Sequence, residues 1–309
     1  MLIDSFGRPL LNLRVAVTQH CNLHCQYCHM EGEEKQRENF AKEMTVDEIV
    51  HIVRIAVQLG MSKVKLTGGE PLLRKDITEI VKGIAAISGL ADLSMTTNGT
   101  MLARLAEELY ANGLKRVNIN FPTLNAEVYG KLTGGNLKEA LEGVEAAVEV
   151  GFYPVKLNML VLKGVNDDAV LEMIGFARKT GAVLQLIELE PLNINPAYYV
   201  ANHKPLDEYE NMFGQKAVKI ETRRYMQNRH VYHLPDVTVE IVHPTENTEF
   251  CMHCTRLRVT SDGKLKTCLM RNNNLIDVLT LMRNGASDKE LIELFMLANQ
   301  KRQPYNKIK

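Results

Sequence analysis

Six cysteines fall into two groups of three, each spaced for a metal centre rather than a disulfide. Cys21, Cys25 and Cys28 make a CxxxCxxC run in the loop Cys21-Asn22-Leu23-His24-Cys25-Gln26-Tyr27-Cys28, directly after the apolar stretch 11–17. Cys251 and Cys254 form a CxxC pair near the other end of the chain, with Cys268 following after thirteen intervening residues. Thiolate-rich ligation favours iron–sulfur clusters, zinc or cuprous ion over magnesium or calcium. Scattered core cysteines would leave stragglers, and here none is left over.

Three readings of the first group compete. Cys25-Gln26-Tyr27-Cys28-His29 is formally the C-x-x-C-H of haem c attachment, but that chemistry goes with export, and the N-terminus shows no basic segment followed by an apolar one. Structural zinc with His29 as a fourth ligand fits the donor types, although such sites usually come as two spaced pairs. A four-iron cluster held by only three thiolates would leave one iron open to a substrate or cofactor. That arrangement makes a structural centre reactive.

The elements that must position these groups read as α/β. Runs at 11–18, 63–67, 93–97, 116–121, 155–162 and 183–189 predict strands alternating with amphipathic helices, the pattern of βα units around a parallel sheet. Six units are too few to close an eight-fold barrel, so an open, partial barrel is expected. Thr45 and Glu48 form a T-x-x-E capping box that starts the first helix, and Gly60 stops it. Helices are also expected near 76–87, 102–111 and 137–150; their apolar stripes are core. After Glu190 the rhythm breaks. Strands at 217–221, 237–242 and 257–260 and a helix over 288–298, capped by Ser287 and Glu290, predict a smaller α+β subdomain carrying the second cysteine group. The expected division is therefore 1–190 and 191–309.

The 309 residues are 45% hydrophobic and 24% charged, enough for a large core. Lys plus Arg equals Asp plus Glu at 37 each, so no global field points to nucleic acid or an anionic membrane, and any anion site must be local. No apolar span reaches membrane length. A cytoplasmic location is expected, with neither nucleic acid nor membrane as a partner.

The CxxxCxxC run with Tyr27 before its last cysteine resembles the radical S-adenosylmethionine (SAM) enzymes, and Gly68-Gly69-Glu70-Pro71 after a predicted strand is similar to their SAM loop. In that family the open iron binds SAM, and one electron cleaves it to a 5′-deoxyadenosyl radical that abstracts a substrate hydrogen. Asn12-Leu13-Arg14-Val15-Ala16-Val17-Thr18, Thr96-Thr97-Asn98-Gly99 and Cys251-Met252-His253-Cys254-Thr255-Arg256-Leu257-Arg258 through Cys268 are similar to segments of the GTP 3′,8-cyclase family of molybdenum cofactor biosynthesis, in a divergent, archaeal-type form. The resemblance implies two [4Fe-4S] clusters, on Cys21, Cys25 and Cys28 and on Cys251, Cys254 and Cys268. It implies SAM contacts from Tyr27, Gly68, Gly69, Glu70 and Asn120. It also implies GTP contacts from Arg14, Lys65, Thr96, Lys156, Arg256, Leu257 and Arg258, with Arg14, Arg256 and Arg258 catalytic. Further partners would be an electron donor, the downstream cyclic pyranopterin monophosphate synthase and, as a candidate, a second copy of the chain.

Physics supports the arginines independently. If Arg256-Leu257-Arg258 is extended, both guanidinium groups point to one face while Leu257 packs on the other, and two bidentate donors suit a phosphorylated substrate. Lys63 is a nearby candidate cation. Glu70, Glu188 and the histidines His20, His24 and His29 have weaker claims. The chain also departs from the cyclase pattern. Asn120-Phe121-Pro122 replaces a Ser-x-Asp segment, Gln185 and Glu190 stand where an arginine and a methionine are usual, and the last residues, 304–309, lack a Gly-Gly tail. A two-cluster relative acting on another nucleotide or a peptide, and a non-enzymatic metal-binding module, are the rival readings.

Overall fold

The structure, a computed structural model, describes residues 1–33, 43–244 and 247–304. The segment ending the chain, with its expected lack of a Gly-Gly tail, lies largely outside the described residues.

Strands β1 (Asn12–Ala16), β2 (Lys63–Thr67), β3 (Asp92–Thr97), β4 (Arg116–Asn120), β5 (Val155–Val161) and β6 (Val183–Glu188) pair in parallel in chain order. Helices α1 (Val46–Gln58), α2 (Ile77–Ala85), α3 (Leu102–Ala111), α4 (Ala126–Thr133), α5 (Leu137–Val150) and α6 (Val170–Thr180) connect them. Both halves of the Thr45–Glu48 capping box form at the start of α1.

The strands alternate in a way that fixes which face is the cavity. Val64 and Leu66, Leu93 and Met95, and Val117 and Ile119 are buried in the apolar layer between sheet and helices. Each such side chain contributes about 1.5–3 kcal/mol by leaving water. Their neighbours Lys65, Ser94, Thr96, Asn118 and Asn120 turn to the opposite face and line a space. A parallel sheet with a polar inner face encloses a cavity instead of a packed core.

The later chain continues this sheet at both edges. After α7 (Pro196–Asn202) and α8 (Asp207–Lys216), strands β7 (Lys219–Arg223), β8 (Arg229–His233) and β9 (Thr238–Val242) form an antiparallel meander, and β9 pairs in parallel with β6. Past α9 (Thr248–Met252), β10 (Arg256–Val259) pairs in parallel with β1, and β11 (Lys264–Lys266) and β12 (Ile276–Asp277) extend that edge. The result is one open twelve-stranded sheet in the order β12-β11-β10-β1-β2-β3-β4-β5-β6-β9-β8-β7. Helices α10 (Leu279–Arg283) and α11 (Asp288–Gln300) follow, with α11 against α1 and β11. Strands β7–β12, from the stretch 191–309 expected as a subdomain of its own, thus share one sheet with β1–β6. No helix among the described residues is long and apolar enough to cross a membrane.

Candidate functional site

The inner face of the sheet bounds a cavity of about 590 Å³, and all six cysteines line it, Cys251 from α9 and Cys254 from the loop ahead of β10. The two trios reach it from opposite ends of the strands. Cys21, Cys25 and Cys28 follow the C-terminal end of β1. Cys254 precedes β10, whose Arg256 is in register with Asn12 at the start of β1, and Cys268 follows β11, which runs antiparallel to β10. The length of β1, roughly 13 Å at a rise near 3.3 Å per residue, separates the two levels.

The first end is built from short, neutral groups. The loop of the first trio closes on the strand-end loops because the glycines permit it. A Cβ on Gly69 would lie 2.2 Å from the His20 carbonyl oxygen, and Gly68 adopts φ +147° with Thr18 O 2.3 Å from where its Cβ would be. The Asn120 amide lies 3.1 Å from the Tyr27 hydroxyl and 3.9 Å from Cys25 Sγ, and the Asn98 amide stands 3.9 Å from Cys21 Sγ. Burial, with the neighbouring Cys28 and Cys21 thiols, pushes the Cys25 thiol up to about 12. Glu70 is fully buried, accepting hydrogen bonds from Thr97 Oγ1 (2.7 Å), Asn98 N (2.6 Å) and Leu72 N (3.0 Å). Burial lifts its carboxyl to about 7 against those bonds.

The second end is built from guanidinium groups. Arg256 and Arg258 project from alternate positions of β10, and Arg258 stands in register with Arg14 of β1, which stands in register with Lys65 of β2. Lys65 donates to Asn118 Oδ1 at 2.6 Å. Burial, followed by the surrounding Arg14, Arg116, Lys156 and Arg256, drives its pKa well down. Arg256 makes no ion pair among the described residues; burial and then the charges of Arg229 and Arg14 oppose its charged form. One carboxylate partly balances the row. Glu31, on a 3-10 turn with φ +50° just after Cys28, accepts from Arg258 Nη1 (2.5 Å), Thr67 Oγ1 (2.8 Å) and Arg14 Nη1 (3.4 Å). Burial alone would raise its pKa; Arg14 and Arg258 instead hold it far below the usual carboxylate range. Across the cavity, buried Glu240 pairs with Lys156 and lies 3.4 Å from both Arg223 Nη1 and Arg229 Nη1.

Among the described residues no three His, Cys, Asp or Glu side chains converge as a single-ion site would require. Three cysteine thiols at one end of a cavity are a donor set that holds a four-iron cluster with one iron left open. A family model described as the radical SAM superfamily matches residues 15–177.

The chain belongs to the radical SAM superfamily.

A second family model, Molybdenum Cofactor Synthesis C, matches residues 182–308. A protein of Pyrococcus horikoshii named "Probable GTP 3′,8-cyclase" is 51% identical over 99% of this chain and 98% of its own. Proteins of the same name from Methanocaldococcus jannaschii and Archaeoglobus fulgidus are 42% and 44% identical over 99% of this chain, and 99% and 100% of theirs. Among solved structures, Streptococcus suis SuiB bound to S-adenosylmethionine superposes with a TM-score of 0.65 at 16% identity, over 94% of this chain. This chain spans 66% of SuiB, just under two thirds of its length. anSMEcpe with bound AdoMet gives a TM-score of 0.62 at 16% identity, covering 92% of this chain and 80% of that one. These likenesses establish the open parallel barrel of a radical SAM enzyme. Membership of that superfamily brings a [4Fe-4S] cluster and SAM.

Within this radical SAM fold, Arg14, Lys65, Thr96, Lys156, Arg256 and Arg258 meet on one cavity wall system, and Tyr27, Gly68, Gly69 and Asn120 line its first end. Two of the expected contact residues do not line the cavity. Leu257, grouped with the arginines, is fully buried in the apolar core because strand alternation turns its side chain away from them. Glu70 does not line the cavity; its carboxylate ties the Gly68-Gly69 loop to the end of β3. His29 lines the cavity and accepts from Glu31 N at 3.1 Å, so it shapes the turn after Cys28. Glu188 binds His203 (2.7 Å) and His243 (3.3 Å). Glu31, Glu240, Arg223 and Arg229 escaped the sequence reading.

Proposed function

We propose that the chain is a GTP 3′,8-cyclase, the radical SAM enzyme that joins C3′ of the ribose to C8 of guanine in the first step of molybdenum cofactor biosynthesis. The observation that carries this reading is the row Arg258–Arg14–Lys65, with Arg256 beside it, inside a protein of zero net charge. Four buried cations with only Glu31 set against the row call for a polyanion, and a triphosphate supplies one.

In this reading Cys21, Cys25 and Cys28 hold the SAM-binding cluster, and Cys251, Cys254 and Cys268 hold a second [4Fe-4S] cluster at the other end of the cavity. When bound, the first cluster and SAM supply a radical strong enough to take hydrogen from an unactivated carbon. The chain's own residues bind, orient and exclude water. Gly68 and Gly69 admit the SAM amino-acid portion close to the backbone, while Tyr27 and Asn120 offer hydroxyl and amide groups beside Cys25. Arg14, Arg256, Arg258 and Lys65 grip the triphosphate, and Thr96 and Lys156 flank it. Bidentate guanidinium contacts fix the nucleotide's direction, so that its ribose faces the first end and its purine the second. Glu31 occupies two of those guanidinium groups until phosphate arrives. An external one-electron donor and a synthase that consumes the cyclised product are the partners this implies.

The test is anaerobic reconstitution followed by iron counting and mass spectrometry with SAM, a reductant and GTP. Roughly eight iron atoms per chain and GTP-dependent cyclised nucleotide with 5′-deoxyadenosine are expected. SAM cleavage with no GTP turnover would move the substrate to another nucleotide or a peptide, and an iron-free, inert chain would sink the enzyme reading.

A further inference from the structure

The second trio sits on a piece of chain that is short of regular structure, and its backbone is held by residues from both ends of the sequence. Arg8 Nη1 donates to the Cys251 carbonyl oxygen at 2.9 Å, and Arg302 Nη2 donates to the Cys254 carbonyl oxygen. The two guanidinium groups share one carboxylate: Asp4 Oδ2 lies 2.8 Å from Arg8 Nε and 3.0 Å from Arg302 Nη1. Arg302 Nη1 also donates to the Arg8 carbonyl oxygen at 3.2 Å. Arg8 reaches on to Gln303 O (2.6 Å) and Pro304 O (3.0 Å). The Asp4 side chain has 0% exposure, and those of Arg8 and Arg302 have 6% and 2%.

Two features separate this lock from an ordinary tie between chain ends. Its outward-reaching donors land on the carbonyls of the CxxC pair, the two cysteines whose relative placement a metal centre needs most. Its charge is also unbalanced, two guanidinium groups on one carboxylate. A planar fork is needed for this, since Arg302 serves Asp4, Arg8 O and Cys254 O at once, which the single ammonium of lysine does not reproduce.

We propose that Asp4, Arg8 and Arg302 are positioning residues for the second metal centre, fixing the backbone of Cys251 and Cys254 so that this trio, and not the first, depends on the union of the chain's two ends. The proposal rests on the reading that Cys251, Cys254 and Cys268 hold a cluster. Outer-shell partners of a metal centre commonly set its affinity by about 10–100-fold.

The experiment uses the full chain in two backgrounds, one with Cys21, Cys25 and Cys28 changed to Ala and one with Cys251, Cys254 and Cys268 changed to Ala, so that iron reports one centre at a time. Arg302→Lys and Asp4→Asn are placed in each, and after anaerobic reconstitution the iron retained against a chelator and the electron paramagnetic resonance signal are followed, with thermal unfolding alongside. Retention is expected to fall by about 10–100-fold where only the second centre remains, and to hold where only the first remains. Equal retention in the second-centre background with and without the changes overturns the proposal, and so does an equal loss in both backgrounds, which marks a general folding defect. Absence of iron from the second-centre background before any change at Arg302 overturns the second-cluster reading itself, and the proposal with it.

Discussion

The two ends of the cavity present the same donors, three cysteine thiols each, in opposite electrostatic settings. At the first end the neighbours are glycines, amides and a tyrosine, and burial, with the nearby Cys28 and Cys21 opposing a thiolate, pushes Cys25 up to about 12. At the second, burial raises Cys268 in the same way, but at Cys254 the guanidinium groups of Arg256, Arg302 and Arg258 outweigh burial and draw the pKa below the ordinary value. The difference teaches that ligand type alone does not assign a role. A neutral, close-fitting backbone suits the zwitterionic amino-acid end of SAM, whereas a wall of arginines suits a polyanion. On the proposed reading, the division of labour lies in what surrounds the thiols.

The strongest way to break the comparison is to remove the first end. Cys25→Ala should lower both 5′-deoxyadenosine and cyclised product by at least about 10⁴-fold, the scale of losing one member of a unit that acts together, while iron at the second trio persists. Comparable loss of iron from both trios would show that the ends are not independent.

Glu31 joins the ends, since it follows Cys28 yet balances Arg14 and Arg258. Glu31→Gln leaves those guanidinium groups without a counter-charge and should cost about 3–5 kcal/mol in the ligand-free protein. Inorganic tripolyphosphate should restore more stability to the variant than to the wild type, as read by thermal unfolding. Equal restoration would mean that phosphate does not replace the carboxylate.

Arg256→Ala and Arg258→Ala test the second end alone. Each charge-assisted contact is worth about 1.5–3 kcal/mol, so kcat/KM for GTP should fall by about 10–100-fold per substitution while SAM cleavage without product continues. A parallel fall in SAM cleavage would place these arginines at the wrong end.

The smallest effect belongs to a control on neither end. Burial opposes protonation of His243, but Glu188 and Glu210 raise its pKa to about 9 from an ordinary 6.5. A raised folded-state value means stability that is complete below about 6.5 and lost as pH climbs through about 9. Because the ring is partly solvated, the loss should be about 1 kcal/mol. His243→Gln should abolish that slope in thermal unfolding and leave cyclisation at pH 7 unchanged.

Legibility of the site followed sequence distance. The first loop and Gly68-Gly69 are compact segments, and the alternate arginines of Arg256-Leu257-Arg258 announce a shared face. The pattern Lys63-Val64-Lys65-Leu66-Thr67 also carried the polar inner face, repeated in Arg116-Val117-Asn118-Ile119-Asn120. Glu31 was invisible because Met30-Glu31-Gly32-Glu33 reads as a solvated acidic turn, and only the left-handed backbone of Met30 and Glu31 swings the carboxylate inward. Glu240 reaches Lys156, and Arg223 and Arg229 reach Glu240, because β7–β9 extend the far sheet edge, a long-range pairing that local patterning does not encode. The lock of Asp4, Arg8 and Arg302 joins residues almost a full chain apart.

The central claim, that one end makes the radical and the other holds the nucleotide, is tested most directly by Cys254→Ala in the reconstituted enzyme supplied with SAM, reductant and GTP. Mass spectrometry should find 5′-deoxyadenosine still forming and cyclised nucleotide absent. Cyclised nucleotide at the wild-type rate from a chain holding iron only at Cys21, Cys25 and Cys28 would contradict it.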